Sequence, residues 1–257
     1  MVVIMTEIES DHPRAESLRV REKLVNGFEK GLVVPEGLSA HGRGEAFDYI
    51  LGEETSNLAR KAIETATATL LEAENPVISV NGNTAALVPG EVVELAGEVG
   101  AKIEVNLFHR SPEREKLIAE HLISHGASEV LGVEEEFAAR IPEIHSDRRK
   151  VDERGIKAAD VVLVPLEDGD RTEALKELGK TVIAIDLNPM SRTAQAADVT
   201  IVDNIVRSLP LMIKEARDLS EVSSNKREGA VWGFDNEQNL GSTINLMLGR
   251  LEELSQT

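Results

Sequence analysis

The chain has 257 residues, a formal net charge of −18, 41% hydrophobic residues and no cysteine. That length suits one large α/β domain or one domain with a helical lid, and the lack of cysteine excludes disulfides, a thiolate nucleophile and cysteine-ligated metals. So acidic a chain repels phosphate backbones and anionic lipid, which sets aside nucleic-acid and membrane-surface binding, while the ordinary apolar fraction sets aside disorder.

The first ten residues lack a basic stretch followed by an apolar one, so no signal peptide is expected. No apolar run is long enough to span a bilayer, and the expected location is the cytoplasm. Residues 16–30 predict a helix with Leu18, Leu24, Val25 and Phe28 as its apolar positions and Gly31 as its stop. A glycine-containing loop is expected over 35–44, a short helix over 46–51 and a longer, alanine-rich helix over 56–71. Residues 1–74 are therefore expected to be an N-terminal helical segment of the same domain, and residues 75–257 a nucleotide-binding core ending in a helix.

From residue 75 short apolar runs alternate with helical patterns. Strands are predicted over 77–80, 102–107, 129–133, 161–164, 182–185 and 199–202, and helices over 91–99, 113–125 and 172–178. Surface loops are expected over 134–136 and 220–229, and a last helix over 236–254. Continuous β-branched runs suit strands buried on both faces, and their alternation with helices predicts a parallel, doubly wound sheet. Such sheets bind ligands at the carboxyl ends of their strands.

Four predicted strands run into polar clusters at that edge: Asn81-Gly82-Asn83-Thr84, then Glu167 through Thr172, then Asp186 through Thr193, then Asp203-Asn204. Turns favour Asn, Asp and Gly in any case, but four such clusters on one edge would line a single cleft. Asn and Asp at strand tips can hydrogen-bond a base edge or a ribose, and Arg171 and Arg192 offer planar forks for phosphate or carboxylate. Thr172 and Thr193 are placed to open helices, whose N-termini attract anions. Asp168 and Asp170 are candidates for Mg²⁺, which takes one or two carboxylates besides nucleotide phosphates; helix capping by Asp170 explains that residue equally well.

The helical segment adds His12-Pro13-Arg14, Arg19, Arg21 and His41-Gly42-Arg43-Gly44-Glu45. Helical periodicity puts Arg14 and Arg21 on one face, where ion pairs to Glu16 and Glu22 are the ordinary expectation. Flanking glycines would let the backbone at Arg43 approach a phosphate closely. Tyr49 is expected to face the core. There is no phosphate-loop motif, no G-x-S-x-G elbow and no zinc signature, since the residues between His121 and His125 lack the required Glu. The G-x-G begun at Gly42 meets Phe47 in place of its last glycine, so a nicotinamide fingerprint is not met.

Four segments in order resemble the archaeal phosphopantothenate synthetase (4-phosphopantoate–β-alanine ligase) family: HPRAESLRVREKLVNGFEKGLVVPEGLSAHGRGEAFDY, NPVISVNGNTAALVPGE, KVDERGIKAADVVLVPLEDGDRTEAL and IDLNPMSRTAQAADVTIVDNIVR. The resemblance implies a Rossmann-like, mainly parallel sheet with the helical segment capping a nucleotide site. It implies ligation of 4-phosphopantoate to β-alanine in coenzyme A biosynthesis, with ATP cleaved to AMP and diphosphate through an acyl-adenylate, Mg²⁺ as cofactor and a homodimer as the working unit. It places ATP on Arg21, Arg43, Asp186, Leu187, Asn188, Arg192, Thr193, Asn204 and Ile205. Arg21, Arg43, His41 and Asp168 are the expected catalytic residues, and Asn81, Asn83, Arg14 and Arg154 the expected contacts to the acid. The alternative is a nucleotide-binding regulator of the same fold that turns nothing over.

Overall fold

The computed structural model describes residues 14–256; His12 and Pro13 lie outside the described residues. Three helices come first: α1 (Ala15–Glu29), α2 (Pro35–Leu51) and α3 (Asn57–Glu72). Then follow β1 (Pro76–Val80), α4 (Gly82–Leu87), α5 (Pro89–Val99), β2 (Lys102–Val105) and α6 (Pro112–Ser124). A two-stranded ribbon, β3 (Ala138–Arg140) with β4 (Lys150–Asp152), precedes β5 (Val161–Pro165), α7 (Gly169–Glu177), β6 (Thr181–Ile185), α8 (Arg192–Ala196) and β7 (Val199–Ile201). The chain ends with α9 (Ile205–Ser220), α10 (Ser224–Val231) and α11 (Asn236–Ser255).

The sheet is wholly parallel, in the order β2-β1-β5-β6-β7. It is the expected α/β, Rossmann-like sheet, and its period-two side chains feed two cores. Ile78, Leu163, Ile183 and Ile201 pack on one face with Leu70, Leu95, Ile118 and Leu209 from α3, α5, α6 and α9. Val77, Val162, Val164 and Val182 face the other way, onto Leu175 of α7 and onto Ile141, Val151 and Ile156 in and around the ribbon. Both faces are thus covered, which is why the strand sequences are continuously apolar. The chain steps outward from β1 to β2, then resumes on the far side of β1 with β5, β6 and β7. The winding therefore reverses between β1 and β5, where a crevice must open above the strand tips.

Three expectations are corrected. Residues 35–44 are not a loop; they are the first part of α2, which starts with Pro35 at its first turn and stops at left-handed Gly52 (φ 94°). Gly37 lies inside it because the Asn83 side chain occupies the space a Cβ would need. Residues 129–133 form no strand: only Leu131 bridges to Glu104, and the next residue, Gly132 (φ 88°), packs so tightly on the Val105 carbonyl that the chain turns away. Residues 220–229 are not a loop either. They hold the end of α9 and most of α10, whose Ala230 packs with Ala68 and whose carbonyl there accepts from Thr65 Oγ1 at 3.0 Å.

The ribbon is tied to the sheet by a buried carboxyl group. Glu104 on β2 is fully buried, and its two oxygens accept from the backbone N–H groups of Asp152 (3.1 Å) and Ile156 (2.6 Å). Burial raises its pKa from 4.5 to about 7, against the lowering effect of those two N–H groups and of Arg171, while Asp152 adds a further upward push. A carboxyl group whose pKa rises on folding stabilises the fold fully below the unfolded value. That contribution is lost as pH climbs from 4.5 through about 7. The loss is about 3 kcal/mol. Equilibrium urea unfolding from pH 5 to 8 should show this decline in the native sequence, and Glu104→Gln should flatten it.

Candidate active site

A cleft of about 660 Å³ opens above the carboxyl ends of the strands. Its floor comes from the tips of β1, β5 and β6 and from the loop after β7, its roof from α2, and its far end from the loop after β2. The β1 and β5 tips, on either side of the switch point, are clamped together by Asn81. Its amide donates to the carbonyls of Pro165 (2.9 Å) and Leu166 (3.1 Å), and its oxygen caps α4 at Thr84 N (3.0 Å). The clamp holds Leu166 in a left-handed conformation (φ 53°) that costs a non-glycine residue about 1 kcal/mol or more. Strain of this kind at a strand tip aims the next residues, Glu167 and Asp168, into the crevice.

At the β6 end, Asp186 accepts from Asn188 N (2.9 Å) and from the hydroxyl of Ser191, which also caps α8 at Ala194 N (2.9 Å). Burial pushes the Asp186 carboxyl up, against the lowering effect of Ser191, Asn188 and the charge of Arg43 across the cleft. Arg43 is exposed on α2 and lines the cleft; among the described residues no carboxylate lies within ion-pair distance of it. Asn204 caps α9 by accepting from Val206 N (3.3 Å) and is itself held by Asp48 of α2 through a 2.8 Å hydrogen bond. Arg207 joins the same group, reaching Asp48 and Asp203 at 2.6 Å each. This buried clasp fixes the roof helix to the β7 end of the floor. The N-terminus of α9 opens onto the cleft, so its free N–H groups favour an anion there.

The middle of the floor is a buried ionic group. Glu167 pairs with Arg148 (2.6 Å) and with Arg171, and Arg148 also lies 2.9 Å from Asp168. Arg171 is wholly buried and donates to Ser79 Oγ at 3.1 Å. Burial, with Glu167 and Asp170 nearby, raises the Asp168 carboxyl in spite of Arg148 and Arg171. No group of three or more metal-ligating side chains occurs among the described residues. Asp168 alone of the two proposed Mg²⁺ ligands lines the cleft. That fits a cation held by one carboxylate and brought in by nucleotide phosphates.

Most residues singled out in the sequence meet here. His41, Arg43, Asn81, Asn83, Asp168, Asp186, Leu187, Asn188, Arg192, Thr193, Asn204 and Ile205 all line the cleft. Several are engaged in ways the sequence did not show. The Asn83 amide donates to Gly37 O of the roof (2.8 Å), and Arg192 is exposed and paired with Asp170 and with Glu173 (2.9 Å). Arg14, Arg21, Arg154, Asp170, Arg171 and Thr172 stand outside the lining, and Arg171 is buried against Glu167 and Ser79 instead of offered to a ligand. Arg21 makes a two-pronged ion pair with Glu45 of α2, instead of with Glu16 or Glu22, and with Arg14 donates to the Tyr49 hydroxyl, which is exposed and not core-facing. Arg154 binds Asp152 and Glu134 (2.8 Å each) and stacks on the Phe137 ring at 3.6 Å. Asp170 is taken up by Arg192, and α7 is capped at Asp168, so Thr172 is an interior helix residue. Arg114, Arg148 and His109 line the cleft without having been singled out.

The family model described as phosphopantothenate/pantothenate synthetase matches residues 58–250. The chain belongs to that family. It is 51% identical over 253 residues to the 4-phosphopantoate–β-alanine ligase of Thermococcus onnurineus, covering 98% of this chain and 96% of that one. It has the same identity and coverage with the corresponding ligase of Thermococcus kodakarensis. It is 49% identical over 251 residues to that of Methanosarcina mazei, with 98% of each covered. The lengths aligned with these relatives take in the roof helix as well as the floor of the cleft. No described helix is long and apolar enough to cross a membrane.

Proposed function

We propose that the protein is a ligase that joins 4-phosphopantoate to β-alanine at the expense of ATP, a step of coenzyme A biosynthesis. The near-full-length identity to ligases of that specificity carries the proposal. The cleft supplies the parts: Arg43 and the α9 N-terminus for the triphosphate, Asp186 and Asn188 for ribose or base, and Arg192 and Thr193 beside them. An oxygen of the acid's carboxylate attacks the α-phosphorus and diphosphate leaves. The amine of β-alanine then attacks the acyl carbon, AMP departs, and the amine loses a proton. Both steps concentrate negative charge, and fixed cations aimed at it lower their barriers. Asp168 would hold Mg²⁺ together with the nucleotide, and the ion would supply further charge neutralisation there. Arg21 and Arg14 reach this chemistry only if the Glu45 and Tyr49 contacts release them. Asp152, Glu134 and the Phe137 ring engage Arg154 outside the cleft lining.

His41 is the residue proposed to take the amine's proton. Burial, more than any other influence, lowers its pKa below 6.5, so it is neutral at pH 7, and its buried Nε2 has no hydrogen-bond partner among the described residues. His41→Gln should remove the acidic limb of the kcat–pH profile; an unchanged profile would reject the role. Asp48→Ala should loosen Asn204 and raise KM for ATP roughly tenfold with a smaller change in kcat, as losses in a supporting shell do.

Nucleotide product analysis tests the whole proposal. AMP should accumulate only when the acid, the amine and ATP are all present. ATP binding without AMP release under those conditions would favour the non-catalytic regulator, and ADP as product would reject the adenylate route. The assembly is proposed to be a cytoplasmic homodimer, in keeping with the exposed Leu246, Leu248 and Leu251 along α11. Light scattering at micromolar concentration would decide it.

A further inference from the structure

The ionic group in the middle of the cleft floor contains one arginine that the sheet does not supply. Glu167, Asp168 and Arg171 come from the β5 tip and α7, whereas Arg148 comes from the connection between β3 and β4, a single 3₁₀ turn at Asp147–Arg149. Its guanidinium crosses from that ribbon to Glu167 (2.6 Å) and Asp168 (2.9 Å), and the residue is 5% exposed. A side chain delivered from a neighbouring element is only as well placed as the backbone that carries it. Whatever fixes the turn therefore fixes the pair.

Asn106, the residue after β2, grips that turn. It is wholly buried and does not line the cleft. Its Nδ2 donates to the carbonyls of Arg148 (3.2 Å) and Lys150 (3.0 Å), on either side of Arg149. Arg148 Nη1 donates back to Asn106 O at 3.4 Å, so the side chain of each residue meets the backbone of the other. Both partners of the amide are carbonyls, which settles the way it points. Asn106 is itself anchored, its backbone N–H donating to Val80 O (2.9 Å) at the β1 tip. Its Oδ1 is buried and has no hydrogen-bond partner among the described residues. Leucine has the same branched outline and would strand no polar atom there. What leucine cannot do is donate to two carbonyls. The ribbon has other anchors: Glu104 holds Asp152 N and Ile156 N, and Arg110 donates to Lys150 O (3.2 Å) and Gly132 O (3.0 Å). The contact peculiar to Asn106 is the one to the Arg148 carbonyl.

We infer that Asn106 is a positioning residue of the reaction: through its two hydrogen bonds to the turn at residues 147–149 and the start of β4, it delivers the Arg148 guanidinium to Glu167 and Asp168. This rests on the ligase proposed above, in which the acid's carboxylate meets the α-phosphate over that ionic group. Asn106 touches no substrate and acts only through Arg148.

The test is a double-mutant cycle read in kcat. Asn106→Leu should lower kcat about 30-fold and leave KM for ATP within about twofold, since supporting residues of a site act at this level. In an Arg148→Ala background the same substitution should change kcat by less than about twofold, because the residue it serves is gone. Equal losses in both backgrounds would make Asn106 a general support of the fold and overturn the inference. Phenylglyoxal, which modifies accessible guanidiniums, gives a second readout that needs no turnover. Arg148 should react about tenfold faster in Asn106→Leu than in the unaltered protein, while the buried Arg171 stays protected in both; an unchanged Arg148 rate overturns the inference. Asn106→Ala repeats both measurements without the bulk of leucine. If neither variant unfolds cooperatively in urea, Asn106 is required for the fold itself and the assigned role is rejected. If the unaltered protein forms no product, the ligase proposal fails separately, and the Arg148 modification rate still decides whether Asn106 places that side chain.

Discussion

Arg43→Ala is expected to lower kcat/KM for ATP about 100-fold while leaving thermal stability within about 0.5 kcal/mol of the native value. The two halves of this expectation come from one observation. Arg43 is exposed and makes no ion pair with the described residues, so deleting it removes no contact that holds the fold. It nevertheless faces Asp186 closely enough to lower that carboxyl's pKa. A cation placed among carboxylates and helix N-termini yet paired with none of them is stored for a ligand's charge. Two decades correspond to about 3 kcal/mol, the range of charge-assisted hydrogen bonds to an anion in a water-poor cleft. Steady-state kinetics with ATP varied, together with a melting curve, checks both halves. An unchanged kcat/KM would detach Arg43 from the phosphates.

Arg43 also shows what the sequence could and could not disclose. Its neighbours Gly42 and Gly44 suggested a loop, because glycine disfavours a helix interior by about 1 kcal/mol. Tertiary contacts outweigh that preference: Gly37 makes room for Asn83, and a Cβ at Gly44 would stand 3.6 Å from Leu187. Gly37 is where the glycines let the helix approach the floor closely, while nothing crowds Gly42. The strands were legible because each is buried on two faces and leaves an unbroken apolar run. The ribbon of β3 and β4 was not, because three-residue strands with mixed burial carry no period.

The site divides in the same way. Strand-tip residues such as Asn81, Asp186 and Asn204 could be placed from topology alone, since any doubly wound sheet gathers its carboxyl ends. Arginines on helices and turns could not. Helical spacing assigns Arg21 to a face but cannot tell that Glu45, 24 residues away, waits opposite it. Arg154 is claimed by Asp152, two residues before it. Conversely, Arg114 and Arg148 reach the cleft by packing between segments remote in sequence. Their sequence signals were the polar tip of β2, from Asn106 to Ser111, and the basic run Arg148-Arg149-Lys150 in an acidic chain. Which arginines a cleft keeps free is decided by where the carboxylates are, and that is a property of the folded chain.

Glu167→Ala should be the most damaging single change under the cleft, costing about 3–5 kcal/mol and lowering Tm by on the order of 10 °C in a chain of this size. Glu167 is 1% exposed and serves two guanidiniums, Arg171 at 0% and Arg148 at 6%. Without it Arg148 retains Asp168, but Arg171 keeps only the Ser79 hydroxyl as a hydrogen-bond partner, with the Glu104 carboxyl acting on it through space. A buried guanidinium with no ion-paired carboxylate is the expensive product, more than the lost attraction itself. The double variant Glu167→Ala with Arg171→Met removes that charge and should recover most of the stability. Urea unfolding of the two single variants and the double separates the causes. If the double variant is no more stable than Glu167→Ala, an unpaired charge is not what the site pays to avoid. Recovery of stability without recovery of activity would then assign the ionic group to function. Glu167 and Arg148 hold Asp168 at the point where the acid and the α-phosphate are proposed to meet, and an apolar repair of the core cannot replace that hold.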